Sequence, residues 1–257
     1  MRRETARPDL LNTAIAIPMY DADAYEWGTN NPKGFQQWFY EINKPYMDCV
    51  RAHFRKALFE STDIYNSVED IPAGLERSAV QRTIQLLKRH RDQFYMRFSS
   101  LRPISAIINV LVANVAKGLK PDTDIFTLLE YVLGDVTESS KYYEDERRGE
   151  NLLESKIIGR RGGEWYIANP ANPEDNLASA WNDEPEIPKK FFKWMDAARH
   201  DLIDSMGVVE KEFRAIAESA FGSEAVQKSW VDKYDEKKAT PITAASKPWK
   251  SKERCNG

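Results

Sequence analysis

Long apolar runs and cysteines are both scarce in this chain of 257 residues. No stretch reaches the roughly 18 consecutive apolar residues that span a bilayer. The N-terminus, "MRRETARPDLLNT", lacks the apolar segment of a secretory signal. The sequence therefore predicts a protein without a membrane span. Its two cysteines, Cys49 and Cys255, lie far apart, the second in a polar tail. That excludes a disulfide framework and gives no zinc-ligand spacing, so a reducing cytoplasm is the expected compartment. An excess of either charge is missing too: 37 basic residues stand against 40 acidic ones, for a net charge of -3. A protein that coats nucleic acid needs a basic surplus to displace counterions, so nucleic acid is not an expected partner. The 42% hydrophobic content is enough for a sizeable core.

What is present reads mainly as helix. Residues 14 to 18, "AIAIP", predict a short strand ended by proline, and "DADAYEWGTNNPKG" predicts a turn-rich connection. Phe35, Trp38, Phe39 and Ile42 then recur at helical spacing, with a break expected near Pro45 and a second helix to about Phe59. A loop over 61 to 73 leads to a helix from about Leu75 to Phe94. The most apolar stretch, Ile104 to Val115, is too short for a bilayer and predicts a buried central helix. Ile125, Leu128, Leu129 and Val132 step as a further helix that turns strongly charged. "KIIGRRGGEWYI", residues 156 to 167, predicts a hairpin turning at Gly162 and Gly163. From Pro188, Phe191, Met195, Ala198, Leu202 and Met206 form an amphipathic stripe interrupted at Gly207, and Val209, Phe213, Ile216 and Ala220 repeat it. After about Trp230 the chain is polar and proline-containing, which predicts a disordered tail over 231 to 257.

One helix stands out by charge. Arg82, Lys88, Arg89, Arg91, Arg97 and Arg102 surround a single acid, Asp92, so the local potential is positive in an acidic chain. Gln81, Gln85, Lys88 and Asp92 share one helical face, and Arg91 is a neighbour of Lys88. Val80, Ile84 and Leu87 can anchor the other side. Such runs are commonly solvated faces or pair with carboxylates. Here Pro103 is placed to open the next helix, with Ser105 in its first turn, where free N–H groups and the helix dipole favour phosphate. Lys88 and Arg91 facing Ser105 would form a triphosphate clamp. Taken alone, a serine such as Ser105 is more commonly an ordinary polar residue satisfying a helix end than a ligand contact.

Four blocks, "WGTNNPKGFQQWF", "LERSAVQRTIQLLKRHRDQFY", "RPISAIINVLVANVA" and "WYIANPANPEDNLASAW", resemble in order and spacing the motifs of the bacterial cyclic GMP-AMP synthase/DncV-like nucleotidyltransferases. These are the SMODS-type synthases of cyclic oligonucleotide antiphage signalling. The resemblance covers roughly residues 14 to 222 and is to the largely helical C-terminal lobe. It implies a mainly α fold with a short N-terminal strand and one hairpin, residues 1 to 30 being the remnant of a catalytic lobe and 31 to 230 the helical domain. It also implies that Lys88, Ser105 and, with them, Arg91 hold the triphosphate of ATP, GTP or another NTP. "NPANPEDNLASAW" resembles a segment that packs this lobe together.

The family pattern is incomplete in this sequence. The resemblance implies magnesium held by an acidic pair after a Gly-Ser motif and by a third carboxylate, all ahead of the "TNPKGF"-like block. Gly222-Ser223 lies behind the helices, Asp21 and Asp23 sit in the connecting turn, and Asp122 and Asp124 lie in a loop after "KGLK". Each reads as a solvated turn residue. The expectation is a chain without turnover of its own: a fragment of a longer synthase, half of a split enzyme completed by a separate catalytic lobe, or a non-catalytic interaction module.

Overall fold

The apolar stripes of the sequence meet around one helix. In the computed structural model, which describes residues 8–21, 24–61, 76–143 and 157–231, that helix is α4 (Ser105–Lys117). Ile107, Ile108, Val110, Leu111, Val112, Ala113 and Ala116 are buried on it, so it is apolar on nearly all sides. Each large side chain so buried contributes about 1.5–3 kcal/mol, which suits a helix enclosed by its neighbours. Those neighbours are α2 (Pro32–Ser61), α3 (Ala79–Phe94) and α5 (Ile125–Tyr143). Among the described residues no helix is long and apolar enough to cross a membrane.

The N-terminal part departs from the sequence expectation. Residues 24 to 30 are not a turn but strand β2 (Ala24–Asn30), paired antiparallel with β1 (Ile15–Asp21) from Ile15 opposite Asn30 to Asp21 opposite Ala24. Tyr25, Trp27 and Thr29 alternate as strand formers do, a pattern obscured by Gly28 and Asn30. The expected break at Pro45 is absent as well: α2 runs through it. Proline removes one helical hydrogen bond, but the next residue, buried Tyr46, donates its hydroxyl to the Ala116 carbonyl at 2.8 Å and ties the second half of α2 to α4. Tertiary packing thus overrides the local breaker.

Helix α3 begins four residues later than expected. Ser78 caps it, its hydroxyl accepting from the Gln81 N–H while the Gln81 side chain accepts from the Ser78 N–H, a reciprocal capping box. Helix α4 likewise opens at Ser105, and Pro103 lies ahead of it. The expected hairpin is present as β3 (Gly159–Arg161) and β4 (Glu164–Tyr166), with Gly162 and Gly163 at φ +58° and +84°, the left-handed region where glycine carries no steric cost. An additional small pair, β5 (Ala168–Asn169) and β6 (Asn172–Asn176), follows it. A short α1 (Pro8–Leu11) precedes β1, and α6 (Ser179–Asp183) leads into α7 (Glu186–Arg199).

Phe191, Met195 and Ala198 of α7 are buried as their spacing predicts, among the rings of Trp165, Trp181, Phe192 and Trp194. The stripe ends early. A π turn (His200–Asp204) inserts an extra residue per turn and rotates the chain beyond it, leaving Met206 46% exposed. Helices α8 (Glu210–Phe221) and α9 (Ser223–Val231) are separated by Gly222 at φ +87°. Of the last predicted stripe only Ala220 is buried, while Phe213 is 38% exposed. The 61 to 73 loop lies almost wholly, and the 231 to 257 tail beyond Val231, outside the described residues.

Two junctions fix these parts. Buried Asn31 caps α2 by accepting from the Gly34 N–H at 2.9 Å and donates from Nδ2 to the carbonyls of Leu10 (2.7 Å) and Ala171 (2.8 Å). Asn172 donates to the Thr29 carbonyl at 3.0 Å, so "TNNP" and "NPANPEDN", far apart in sequence, interlock. On the other side of the molecule Trp194 Nε1 donates to His90 Nδ1 at 3.0 Å, which leaves His90 Nε2 to donate to Asp201 Oδ2 at 3.0 Å.

A Cβ on Gly34 would sit 2.4–2.7 Å from the Asn31 carboxamide. Gly34→Ala should therefore cost about 1–3 kcal/mol in urea unfolding, whereas Gly118→Ala, whose nearest atom is 3.5 Å away, should be close to neutral. Burial pushes the Asp201 carboxyl up, but hydrogen bonds from His90 and His200 outweigh it and hold it below its ordinary value of 3.8. The unfolded chain then binds this proton more readily than the folded one, so the stabilisation is present above pH 3.8 and is lost as pH falls through the lower folded value. Melting temperatures measured on acidification should fall more steeply there for the wild type than for Asp201→Asn.

Candidate functional site

The α3 cations divide by direction. Val80, Ile84 and Leu87 are buried and set the helix's rotation against the core. On the opposite side Gln81 belongs to the cap, and Gln85 accepts from Arg77 Nη1 at 2.6 Å. Arg89 turns away from the rest: its Nε donates to the Phe221 carbonyl at 2.9 Å, at the C-terminal end of α8, where the helix dipole favours a cation. Arg82 and Arg97 are exposed. Lys88, Arg91 and Arg102 are left around Asp92, next to the start of α4.

Arg91 is only 7% exposed, although fully charged. Four contacts satisfy it. Nε and Nη2 donate to Asp92 Oδ1 at 3.0 and 2.8 Å, and Nη1 donates to the Pro103 carbonyl and to Ser105 Oγ, both at 3.1 Å. The guanidinium therefore joins the last turns of α3 to the first residue of α4. Arg102 reaches the same Asp92 oxygen at 3.4 Å. The sequence brings Arg91 and Ser105 together as a pair, and the structure places them in direct contact. It does not foretell the Pro103 carbonyl or the fork of Asp92, whose position next to Arg91 was the one available signal.

The start of α4 is open. Ile104, at φ -66° and ψ 151°, is the N-cap residue and no side chain caps the helix; the Ile107 N–H donates to the Ile104 carbonyl at 3.2 Å, and the Ser105 and Ala106 N–H groups have no intrahelical acceptor. The dipole adds positive potential there. Lys88 lies one turn before Arg91 on α3, half-buried, with no hydrogen bond or ion pair among the described residues. Burial, and then the Arg91 charge, pull its ammonium below the ordinary lysine value, with Asp92 acting in the opposite sense. An anion beside it would relieve both effects.

The carboxylates do not assemble into a metal centre among the described residues, where no group of three or more His, Cys, Asp or Glu side chains is placed to hold an ion. Asp124 caps α5, accepting from Phe126 N–H at 2.8 Å, Thr127 N–H at 3.1 Å and the Thr127 hydroxyl at 2.6 Å, and the Thr127 bonds hold its carboxyl below the ordinary range. Asp21 ends β1, Asp122 is exposed before α5, and Gly222-Ser223 joins α8 to α9. Asp23 lies outside the described residues.

No family model matches the chain. A c-di-GMP synthase of Roseivirga ehrenbergii is 26% identical over 188 residues, which are 72% of this chain and 43% of the relative. Among solved structures, the Bradyrhizobium diazoefficiens CD-NTase CdnG in complex with GTP superposes with a TM-score of 0.54 at 16% identity, over 84% of this chain and 58% of that one. The chain spans about half the length of the relatives it matches. In sequence the chain is similar to a c-di-GMP synthase, and its mainly helical fold is similar to that of a CD-NTase.

Proposed function

We propose that the face between α3 and α4 holds the triphosphate of a donor nucleotide, ATP, GTP or another NTP. Lys88 supplies the cation and Ser105 the hydroxyl, with Arg91 joining the two helices at the site. The observation that carries this assignment is Lys88: a half-buried ammonium without a partner among the described residues, beside an uncapped helix start and a serine fixed by arginine. The nearby Asp92 carboxylate is bonded to Arg91 and Arg102, so a half-buried cation here gains from an anion that a ligand supplies. The similarity to a c-di-GMP synthase and to a CD-NTase determined with GTP supports the nucleotide class.

In this view the chain is the C-terminal part of a nucleotidyltransferase that condenses NTPs into a cyclic di- or trinucleotide second messenger of antiphage defence. Donor binding at α3 and α4 would leave the α-phosphate directed toward a catalytic lobe supplied by other residues or by a separate chain. The magnesium of the parent reaction would be held by that lobe; of the acidic pair Asp122 and Asp124, the second is occupied in capping α5. Soluble action in the cytoplasm belongs to the same proposal. A non-catalytic interaction module is the second possibility, favoured by Trp27, which stands 77% exposed on β2.

Lys88→Ala should weaken ATP or GTP binding by roughly ten- to a hundredfold, the cost of one charge-assisted contact of about 1.5–3 kcal/mol. Arg82→Ala, an exposed cation on the same helix, should leave calorimetric affinity within about twofold. Equal losses in both variants would reduce the site to general electrostatics, and the interaction module predicts no binding at all. Incubated with NTPs and magnesium, the isolated chain should form no cyclic product by chromatography. Product formation would show that its own carboxylates suffice.

A further inference from the structure

Asp92 is an anomaly in an anion site. Its negative charge works against any phosphate nearby, yet it sits among Lys88, Arg91 and Arg102. Adjacent residues on a helix point about 100° apart and do not ordinarily face each other. Here Arg91 nonetheless bends back so that Nε and Nη2 share Asp92 Oδ1 at 3.0 and 2.8 Å, and Arg102 adds a contact at 3.4 Å to the same oxygen. The fork is therefore held in one plane, and its remaining edge, Nη1, is directed at the Pro103 carbonyl and Ser105 Oγ at 3.1 Å each.

The bond at Ser105 has a chemical consequence. A hydroxyl oxygen that accepts from a guanidinium keeps one proton of its own to donate. Among the described residues no acceptor for that proton is found, and the first turn of α4 is uncapped. We propose that Asp92 is the positioning residue of this site: by gripping Arg91 it fixes the Ser105 hydroxyl as an acceptor toward the protein and thus as a donor toward a bound phosphate. Through the same oxygen Asp92 holds Arg102 at the mouth of the site, where its remaining N–H groups add a second anion contact. This rests on the triphosphate assignment above and adds to it why an acid is present there.

The two roles open to Asp92 give opposite signs. If it were only a surface counter-charge, Asp92→Asn would remove repulsion and tighten nucleotide binding. As a positioning residue its removal frees Arg91 and Arg102, and binding of ATP by the full chain should weaken about tenfold, the loss expected for one charge-assisted hydrogen bond. The assay is calorimetry with ATP at fixed ionic strength, alongside Lys88→Ala and with circular dichroism to establish that each variant is folded. A loss in Lys88→Ala with unchanged or tighter binding in Asp92→Asn would overturn the positioning role and leave the triphosphate assignment standing. No binding by the wild type would overturn the assignment and, with it, the phosphate-facing role. The clamp has its own readout: in 15N NMR the Arg91 Nε–H should exchange slowly with water in the wild type and rapidly in Asp92→Asn. Equal exchange in both would refute the clamp whatever the calorimetry shows.

Discussion

A guanidinium cannot shed its charge, so burying one obliges the surrounding chain to supply acceptors on each of its edges. Arg91 imposes that requirement on this fold. Asp92 meets one edge from within α3, and the connection to α4 meets the other with the Pro103 carbonyl and the Ser105 hydroxyl. The end of one helix and the beginning of the next are thereby held at hydrogen-bond distance, and α4 starts at Ser105 without a side-chain cap of its own. Of the six cations that look in the sequence like a surplus of positive charge, Arg91 and Arg102 go into building this corner, and Arg89 bonds the Phe221 carbonyl instead. Lys88 stays half-buried beside it, with no hydrogen bond or ion pair among the described residues.

The preceding residue locks the same helix from another side. His90 is buried and stands between the Trp194 indole and the Asp201 carboxylate, so its ring has a donor on one nitrogen and an acceptor facing the other. Consecutive residues of α3 thus reach into different neighbours, α4 for Arg91 and α7 with its π turn for His90. A helix held by its apolar face alone can rotate by small amounts at little cost. Directional bonds on two further sides remove that freedom. The π turn is what sets Asp201 opposite His90, and it does so at the expense of the apolar stripe beyond it.

At the other end of the domain, carboxamides carry out the corresponding task. Asn31 satisfies the start of α2 and two carbonyls from α1 and the β5–β6 turn, while Asn172 reaches back to Thr29. The requirement falls on Gly34 because the Asn31 side chain fills the space where its Cβ would be. Asparagine suits this role because it carries donors and an acceptor on one short arm and can bridge backbone from three segments at once.

Helical periodicity made α4, α5, α7 and the apolar side of α3 legible in the sequence, because burial of a repeating stripe needs only local spacing. The β3–β4 hairpin was equally legible from two glycines, since a tight turn demands φ values that other residues avoid. The contact of Arg91 with Ser105 was foreshadowed by a run of charge facing a helix start. By contrast, β2 was hidden by Gly28 and Asn30, and the continuity of α2 through Pro45 depends on a bond from Tyr46 to Ala116, 70 residues away. Which cations are spent and which stay open was equally beyond the sequence. Composition counts charges, but only the tertiary structure brings acceptors from distant segments within about 3 Å, and at that range a hydrogen bond decides whether a charge is part of the scaffold or available to a ligand.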